Sequence, residues 1–247
     1  MRVLGLVPAR GGSRGVPRKN TRLLCGRPLL WYTARAAHGS RQLTRVVLST
    51  DDPEIAEIGR GCGLDVPFIR PDALARDDAP MLPVVQHALR ALEPQDGRYE
   101  AVCLLQPTNP LREAGDIDAC IELLATSGAD SVVTTQPVPA QYNPHWVYFP
   151  LPDGSLRLST GEAAPVSRRQ ALPPAVHRDG TVYVTRREVL VDADSLYGAR
   201  VLGYAMEPAR SLNIDTPADW ALAERLVAAR ERAAAGAGAG AAAGGMS

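Results

Sequence analysis

The chain has 247 residues, 45% of them hydrophobic, and its 27 basic residues balance 27 acidic ones. This length suits one large domain with at most a small appendage, and the apolar content excludes global disorder. Zero net charge argues against a nucleic-acid binder, and no apolar run approaches a membrane span or a secretory h-region. The predicted elements alternate short apolar runs with amphipathic stretches, the pattern of an α/β protein with a mainly parallel sheet. Residues 2–7 read as a buried first strand and 28–38 as the first helix. A second strand, 45–49, ends in Thr50-Asp51-Asp52-Pro53-Glu54, an N-cap with early Pro and acid that starts a helix through about residue 62. Residues 66–69 read as a short third strand, 82–92 as a helix, 101–105 as a central strand, 113–126 as a helix and 131–135 as a strand.

The grammar changes at residues 137–180, which hold many prolines and little helical periodicity. A structureless loop of that length is rare inside a compact domain, so a small β-rich insertion is expected there. Strands follow at 181–185 and 200–205, then a helix at 216–232. The glycines of the Ala/Gly tail, 233–247, predict a disordered end without a stable helix. Cys25, Cys62, Cys103 and Cys120 show no CxxC or zinc spacing and read as reduced thiols in a cytoplasmic protein.

Directly after the first strand runs PARGGSRGVPRKN, residues 8–20. Gly11, Gly12 and Gly15 permit close backbone approach, and Arg10, Arg14, Arg18 and Lys19 supply positive charge within ten positions. A loop so placed, with so many donors, reads as a phosphate-binding loop. It is neither a Walker A motif, since no GK[ST] follows, nor a dinucleotide fingerprint. Lys19 is the only lysine among the 27 basic residues. Arg and Lys are not interchangeable where a compact ammonium on a slim stem is needed.

This loop, followed by GRPLL, resembles the signature of the acylneuraminate cytidylyltransferase family, which activates nonulosonic acids. Further pieces match in order: Ser49-Thr50-Asp51-Asp52, Arg70-Pro71, Leu74-Ala75-Arg76-Asp77, Leu104 to Arg112 (LLQPTNPLR), Arg169-Gln170 with Leu172-Pro173, Asp179-Gly180-Thr181-Val182-Tyr183, and Ile214-Asp215-Thr216 with Asp219-Trp220. The resemblance implies a Rossmann-like, three-layer nucleotidyltransferase fold spanning residues 1–232, with a dimerisation element at 137–180. It implies the reaction of CTP with a sugar acid to give a CMP-sugar acid and pyrophosphate. A divalent cation, Mg²⁺ or Mn²⁺, is expected as cofactor, and a homodimer as the working form.

Roles carried over with the motifs are as follows. Arg10, Lys19 and Asp215 are the catalytic candidates. Gly11, Gly12, Ser13, Arg14, Asn20 and Arg70 bind the nucleotide, Arg70 at the cytosine. Gln106, Arg169 and Tyr183 bind the acceptor, with Arg168 beside them as a second partner for a carboxylate. Asp215 is the principal metal ligand and Asn213 a weak or water-mediated one, because the family pattern D-I-D stands here as Asn213-Ile214-Asp215. Alternation in an extended segment puts both side chains on one face. Asp215 alternatively caps the helix that starts near Thr216. His38 and His87 read as structural, while His145 and His177 lie near enough to the insertion to meet a sugar.

Departures at Asp78-Ala79-Pro80-Met81, Asp179 and Asn213 leave other readings open: GTP as donor, a phosphonate as acceptor, or a non-catalytic nucleotide-binding relative. Fold alone does not separate these.

Overall fold

The computed structural model describes residues 1–12 and 15–243. In chain order the elements are β1 (Val3–Pro8), β2 (Leu23–Leu24), β3 (Arg27–Pro28), α1 (Leu29–Gly39), β4 (Arg45–Ser49), α2 (Pro53–Gly61), α3 (Met81–Asp96) and β5 (Ala101–Leu104). Then follow α4 (Ala114–Ser127), β6 (Ser131–Pro137), β7 (Tyr148–Pro150), β8 (Leu156–Leu158), β9 (Val176–Arg186), α5 (Arg187–Val191), β10 (Val201–Ala205) and α6 (Pro217–Ala243).

Six strands form the main sheet in the order β10-β6-β9-β5-β1-β4. β1 pairs in parallel with β4 and β5, and β6 in parallel with β10. β9 runs antiparallel to both β5 and β6, so the other five strands point one way. The alternation of β1 explains the layers. Val3 and Val7 face one core with Leu30, Ile55 and Ile121 from α1, α2 and α4. Leu4 and Leu6 face the other with Val85, Leu89 and Leu190 from α3 and α5. β1 and β5 are thus buried along their whole length, as inner strands of a mainly parallel sheet are, while β10 at the edge stays partly exposed. The sheet's C-terminal edge, where open α/β sheets take ligands, collects the ends of β1, β4 and β5.

Four regions differ from the sequence expectations. Residues 66–69 form no strand: one bridge, Val47 with Asp65, is made before Pro67 removes a donor, and Ile69 is exposed. The β2–β3 hairpin is an addition; its two loop residues, Cys25 and Gly26, both have positive φ (46° and 80°), as a tight hairpin turn demands. The insertion at 137–180 holds one small hairpin, β7 with β8, three short 3₁₀ turns and the start of β9. Finally, α6 passes residue 232 and continues to Ala243. Extending an existing helix needs no new nucleus, and alanine, the best helix former, outnumbers glycine there.

A third core cluster joins α6 to the loop after β1: Val16, Leu24, Ile214, Trp220 and Val227 pack together. Cys103 and Cys120 are buried free thiols and Cys25 and Cys62 partly buried ones, matching the reduced reading. Among the described residues no helix is long and apolar enough to cross a membrane.

Candidate active site

The loop after β1 is held from both sides. The Ala9 N–H donates to the Ser49 carbonyl (3.0 Å) and the Gly11 N–H to Asp51 Oδ1 (3.2 Å), tying the loop to the end of β4. Asn20 is buried; its Nδ2 donates to the Arg10 carbonyl (3.2 Å), and its own carbonyl accepts from Leu30 (3.1 Å). Asn20 therefore closes the loop on itself and on α1. Gly15 lies so close to the 213–215 segment that a Cβ would stand 1.9 Å from the Asp215 carbonyl oxygen. Ser13 and Arg14 lie outside the described residues.

Lys19 bridges the loop and that segment. Its side chain is 14% exposed, and Nζ donates to the Ile214 carbonyl (2.6 Å) and meets Asp215 Oδ1 at 3.3 Å. A slender stem passes where a planar guanidinium would have to spread. Arg10 forms an ion pair with Asp77, so the cation is held at the cavity edge. Arg18 differs: with φ +53° it turns to Glu54 and borders a neighbouring cavity with Asp52.

The main cavity, about 340 Å³, is lined by Pro8, Arg10, Gly12, Gly15, Lys19, Asn20, Arg70, Met81, Gln106, Pro107, Thr108 and Asp215. Arg70 is 3% exposed; its Nε donates to Ser49 Oγ (3.0 Å) and Nη2 to the Ser49 carbonyl. Burial pulls its pKa down to about 10, partly offset by Asp51, so it remains a cation at neutral pH. Its guanidinium is thus held by Ser49 at the end of β4.

A second cavity, about 220 Å³, adjoins the first and shares Met81 and Gln106 with it. Tyr183, Thr185, Val102 and Leu104 line it from the sheet, Val85 and Leu190 from α3 and α5, and Arg178, Leu196 and Tyr197 complete it. Burial raises the Tyr183 phenol pKa, while Arg178 opposes the shift. Gln106 and Tyr183 are thus brought together as the motifs implied. Arg169 is not: it sits exposed in the 3₁₀ turn Arg169–Ala171 and is not among the described residues lining either cavity. It belongs to the insertion. His145 pairs with Glu162 and His177 with the Arg178 carbonyl, and neither is among those lining residues.

The 213–215 segment also departs from expectation. Asp215 faces Lys19, but Asn213 is turned elsewhere and spent: Thr108 Oγ1 donates to its Oδ1 (3.1 Å), and its Nδ2 donates to the Asp179 carbonyl. The two side chains do not converge. Nor is Asp215 the helix cap: Thr216 is the N-cap residue, and Asp219 is its capping-box partner. Its Oδ2 accepts from the N–H groups of Asp215 (3.0 Å) and Thr216 (2.7 Å), while Thr216 Oγ1 receives the Asp219 N–H (3.2 Å). The Asp215 carboxylate, 71% exposed, is left for the cavity. Among the described residues no group of three or more His, Cys, Asp or Glu side chains could hold a metal. The donor set fits only a cation carried chiefly by phosphate oxygens and water with one protein carboxylate, a habit of Mg²⁺.

Two residues whose roles the sequence reading left open frame the site. Arg112, 2% exposed, donates to the carbonyls of Thr181 (2.9 Å) and Gln106 and to Thr33 Oγ1 (3.1 Å). Burial lowers its pKa to about 10. It joins the end of β5 to β9 and α1 and so positions Gln106. Asp179 accepts from Thr134 Oγ1, the Thr181 N–H (3.0 Å) and Thr181 Oγ1 (3.0 Å), all buried. Its carboxylate is occupied internally, so the departure at 179 acts on scaffold geometry. The signal was present in both cases, since Arg112 ends the LLQPTNPLR run and Asp179 opens DGTVY.

A charged cavity built by a glycine- and arginine-rich loop, beside a second pocket for another molecule, defines a protein that transfers a group between a nucleotide and an acceptor. A family model described as cytidylyltransferase matches residues 4–234, and the chain belongs to that family. It is 32% identical to the CMP-N,N'-diacetyllegionaminic acid synthase of Legionella pneumophila, over 94% of this chain and 99% of that one. It is 30% identical to the N-acylneuraminate cytidylyltransferase of Escherichia coli, over 90% of this chain and 51% of that longer relative. A solved CMP:2-keto-3-deoxy-manno-octonic acid synthetase complexed with CTP superposes with a TM-score of 0.70 at 16% identity, covering 93% of this chain and 100% of that one. At that identity the likeness concerns the fold.

Proposed function

We propose that the protein transfers CMP from CTP to a nonulosonic acid, releasing pyrophosphate. The observation that carries this reading is the single cavity into which Arg10, Gly12, Lys19, Asn20 and Asp215 converge, opening through Gln106 to a second pocket. The acceptor's anomeric oxygen attacks the α-phosphorus, a new P–O bond forms, and the bond to pyrophosphate breaks as the hydroxyl proton is lost. Such a transfer depends on alignment and on neutralising phosphate charge.

Lys19, fixed by the Ile214 carbonyl, faces the transferring phosphate. Arg10 exchanges Asp77 for the leaving phosphates, and Ser13 and Arg14 of the same loop are proposed to bind them too. The Gly11 and Gly12 backbone approaches the anion without side-chain hindrance. Arg70, locked on Ser49, meets the base, and Asn20 the ribose or phosphate. Gln106 and Tyr183 orient the acceptor. Mg²⁺, or Mn²⁺, bound by Asp215 and the nucleotide would supply charge neutralisation.

The insertion supports a homodimer: it exposes Tyr142 (65%), Phe149 (52%), Leu156 (64%) and Val176 (63%) within one short region. In such a dimer Arg169 would serve the acceptor from the partner's side, which accounts for its distance from its own pocket. The sequence features and the reaction fit a cytoplasmic enzyme. The test is a pyrophosphate-release screen of four nucleoside triphosphates against nonulosonic acids and a phosphonate. Turnover with CTP and a nonulosonic acid alone is expected; turnover confined to GTP, or to the phosphonate, would overturn the assignment. Light scattering should report a dimer at micromolar concentration, and a monomer there would exclude the shared site.

A further inference from the structure

Strand β5 leads into a turn that serves both cavities. The Leu105 N–H donates to the Leu6 carbonyl (2.9 Å), Gln106 lines both cavities, and Thr108 lines the one that holds Lys19. Pro107 stands between them with its φ fixed, which keeps the turn stiff. The turn is also closed on itself, since Arg112 donates to the Gln106 carbonyl.

Thr108 grips the 213–215 segment at two consecutive residues. Its carbonyl accepts the N–H of buried Ile214 (2.9 Å), and its hydroxyl donates to Asn213 Oδ1 (3.1 Å). The direction of the second bond follows from the first neighbour of Asn213. A backbone carbonyl only accepts, so Nδ2 must face the Asp179 carbonyl, and Oδ1 is left for a donor. Thr108 supplies it. The segment so gripped then orients the cation: the Ile214 carbonyl accepts from Lys19 Nζ (2.6 Å), and Asp215 Oδ1 stands 3.3 Å from the same nitrogen. Asn213 also ties the segment to β9, the strand that carries Tyr183. A set of hydrogen bonds thus runs from β9 and the turn of Gln106, through Thr108 and Asn213, to Lys19.

We propose that Thr108, acting through Asn213, is a positioning residue that fixes the separation between an acceptor seated at Gln106 and a phosphate seated at Lys19. The inference rests on the transferase reading above and deepens it. In-line attack tolerates little error, because the reacting atoms must stand about 3–3.5 Å apart and aligned. Each substrate can be bound well while the two are misaligned. Loss of this grip therefore shows in kcat and in neither KM.

The experiment measures CTP-dependent pyrophosphate release with a nonulosonic acid for wild type, Thr108→Val, Thr108→Ser, Asn213→Ala, and Thr108→Val combined with Asn213→Ala. Thr108→Val keeps the shape and removes the donor. Its kcat should fall by about tenfold or more, with the KM of CTP and of the acceptor each within about threefold of wild type. Thr108→Ser keeps the hydroxyl and should hold kcat within about threefold. Asn213→Ala should lower kcat as Thr108→Val does, and it carries the same expectation should Thr108→Val not fold by circular dichroism. The double variant should be no slower than the slower single one, because the two side chains act as one unit.

Four results overturn the proposal. A Thr108→Val enzyme with a lowered melting temperature but kcat within about threefold of wild type would mean that the grip serves stability alone. Equal impairment of Thr108→Ser and Thr108→Val would take the hydroxyl out of the account. Losses that multiply in the double variant would separate Thr108 from Asn213. A rise in one substrate's KM in place of the fall in kcat would mean that Thr108 touches that substrate directly. Absence of wild-type turnover with CTP and any nonulosonic acid would instead overturn the proposed function, and this inference with it.

Discussion

The two adjoining cavities are built on opposite principles. The cavity proposed for the nucleotide is made by charge between distant segments: Arg10 with Asp77, and Lys19 with Asp215. The pocket proposed for the acceptor is made by packing, with β5, β9, α3 and α5 supplying most of its wall and Arg178 the one cation among its lining residues. A phosphate-binding site needs cations that can leave carboxylates for phosphates. A sugar pocket needs a shape that holds before the sugar arrives. The first is therefore sensitive to the chemistry of single side chains, the second to the register of strands.

The largest break in this contrast should come at Lys19. Lys19→Arg preserves charge but not the slim path to the Ile214 carbonyl, and kcat should fall by about 100-fold or more, the scale of losing one preorganised charge contact. Circular dichroism should show the fold intact. Next is Gly15→Ala. Its Cβ would collide with the Asp215 carbonyl at 1.9 Å, pushing the loop from the 213–215 segment, and kcat/KM should drop by about tenfold or more. Steady-state kinetics at saturating acceptor would detect it.

Asn213→Asp sharpens the comparison. The substitution replaces the Nδ2 donor at the Asp179 carbonyl by a carboxylate oxygen. Two acceptors then face each other, and thermal unfolding should register a loss of about 1–3 kcal/mol. A gain in turnover would instead mean that position 213 serves the cation and not the scaffold. The smallest effect belongs to a pair that lines neither cavity. Arg187 holds the Glu93 carboxyl below its usual range through two hydrogen bonds of 2.7 and 2.9 Å. The folded pKa lies under the unfolded one, so the stabilisation is complete above the ordinary carboxylate range and is lost as pH falls through the depressed value. Arg187→Met should lower stability by about 1–2 kcal/mol at pH 7, with the gap to wild type closing in acid, as melting curves across pH would show.

What could be read from the amino-acid order follows the same division. The loop at residues 8–20 was legible because phosphate binding demands glycines and cations in local sequence, and Lys19 stood out against an arginine background. The sheet was legible where apolar runs are continuous, as at Arg45–Ser49, predicted to the residue. The acceptor pocket was only half legible. Gln106 and Tyr183 lie in motifs, but Arg178 and Tyr197 meet through the fold of β9 and the turn after α5, which no local pattern encodes. Asn213 misled for a related reason. Alternation places residues 213 and 215 on one face of an ideal strand, but the Asp179 carbonyl and Thr108 capture the amide and turn it away. At the C-terminus, glycine content pointed to a frayed end, whereas α6 continues on its alanines to Ala243.

The most direct test is a crystal structure with CTP bound. The triphosphate should lie within hydrogen-bond distance of Lys19 Nζ and the Arg10 guanidinium, with Asp215 at the same phosphates and the cytosine toward Arg70. Phosphates seated instead beside Arg18 and Glu54, in the neighbouring cavity, would contradict the account.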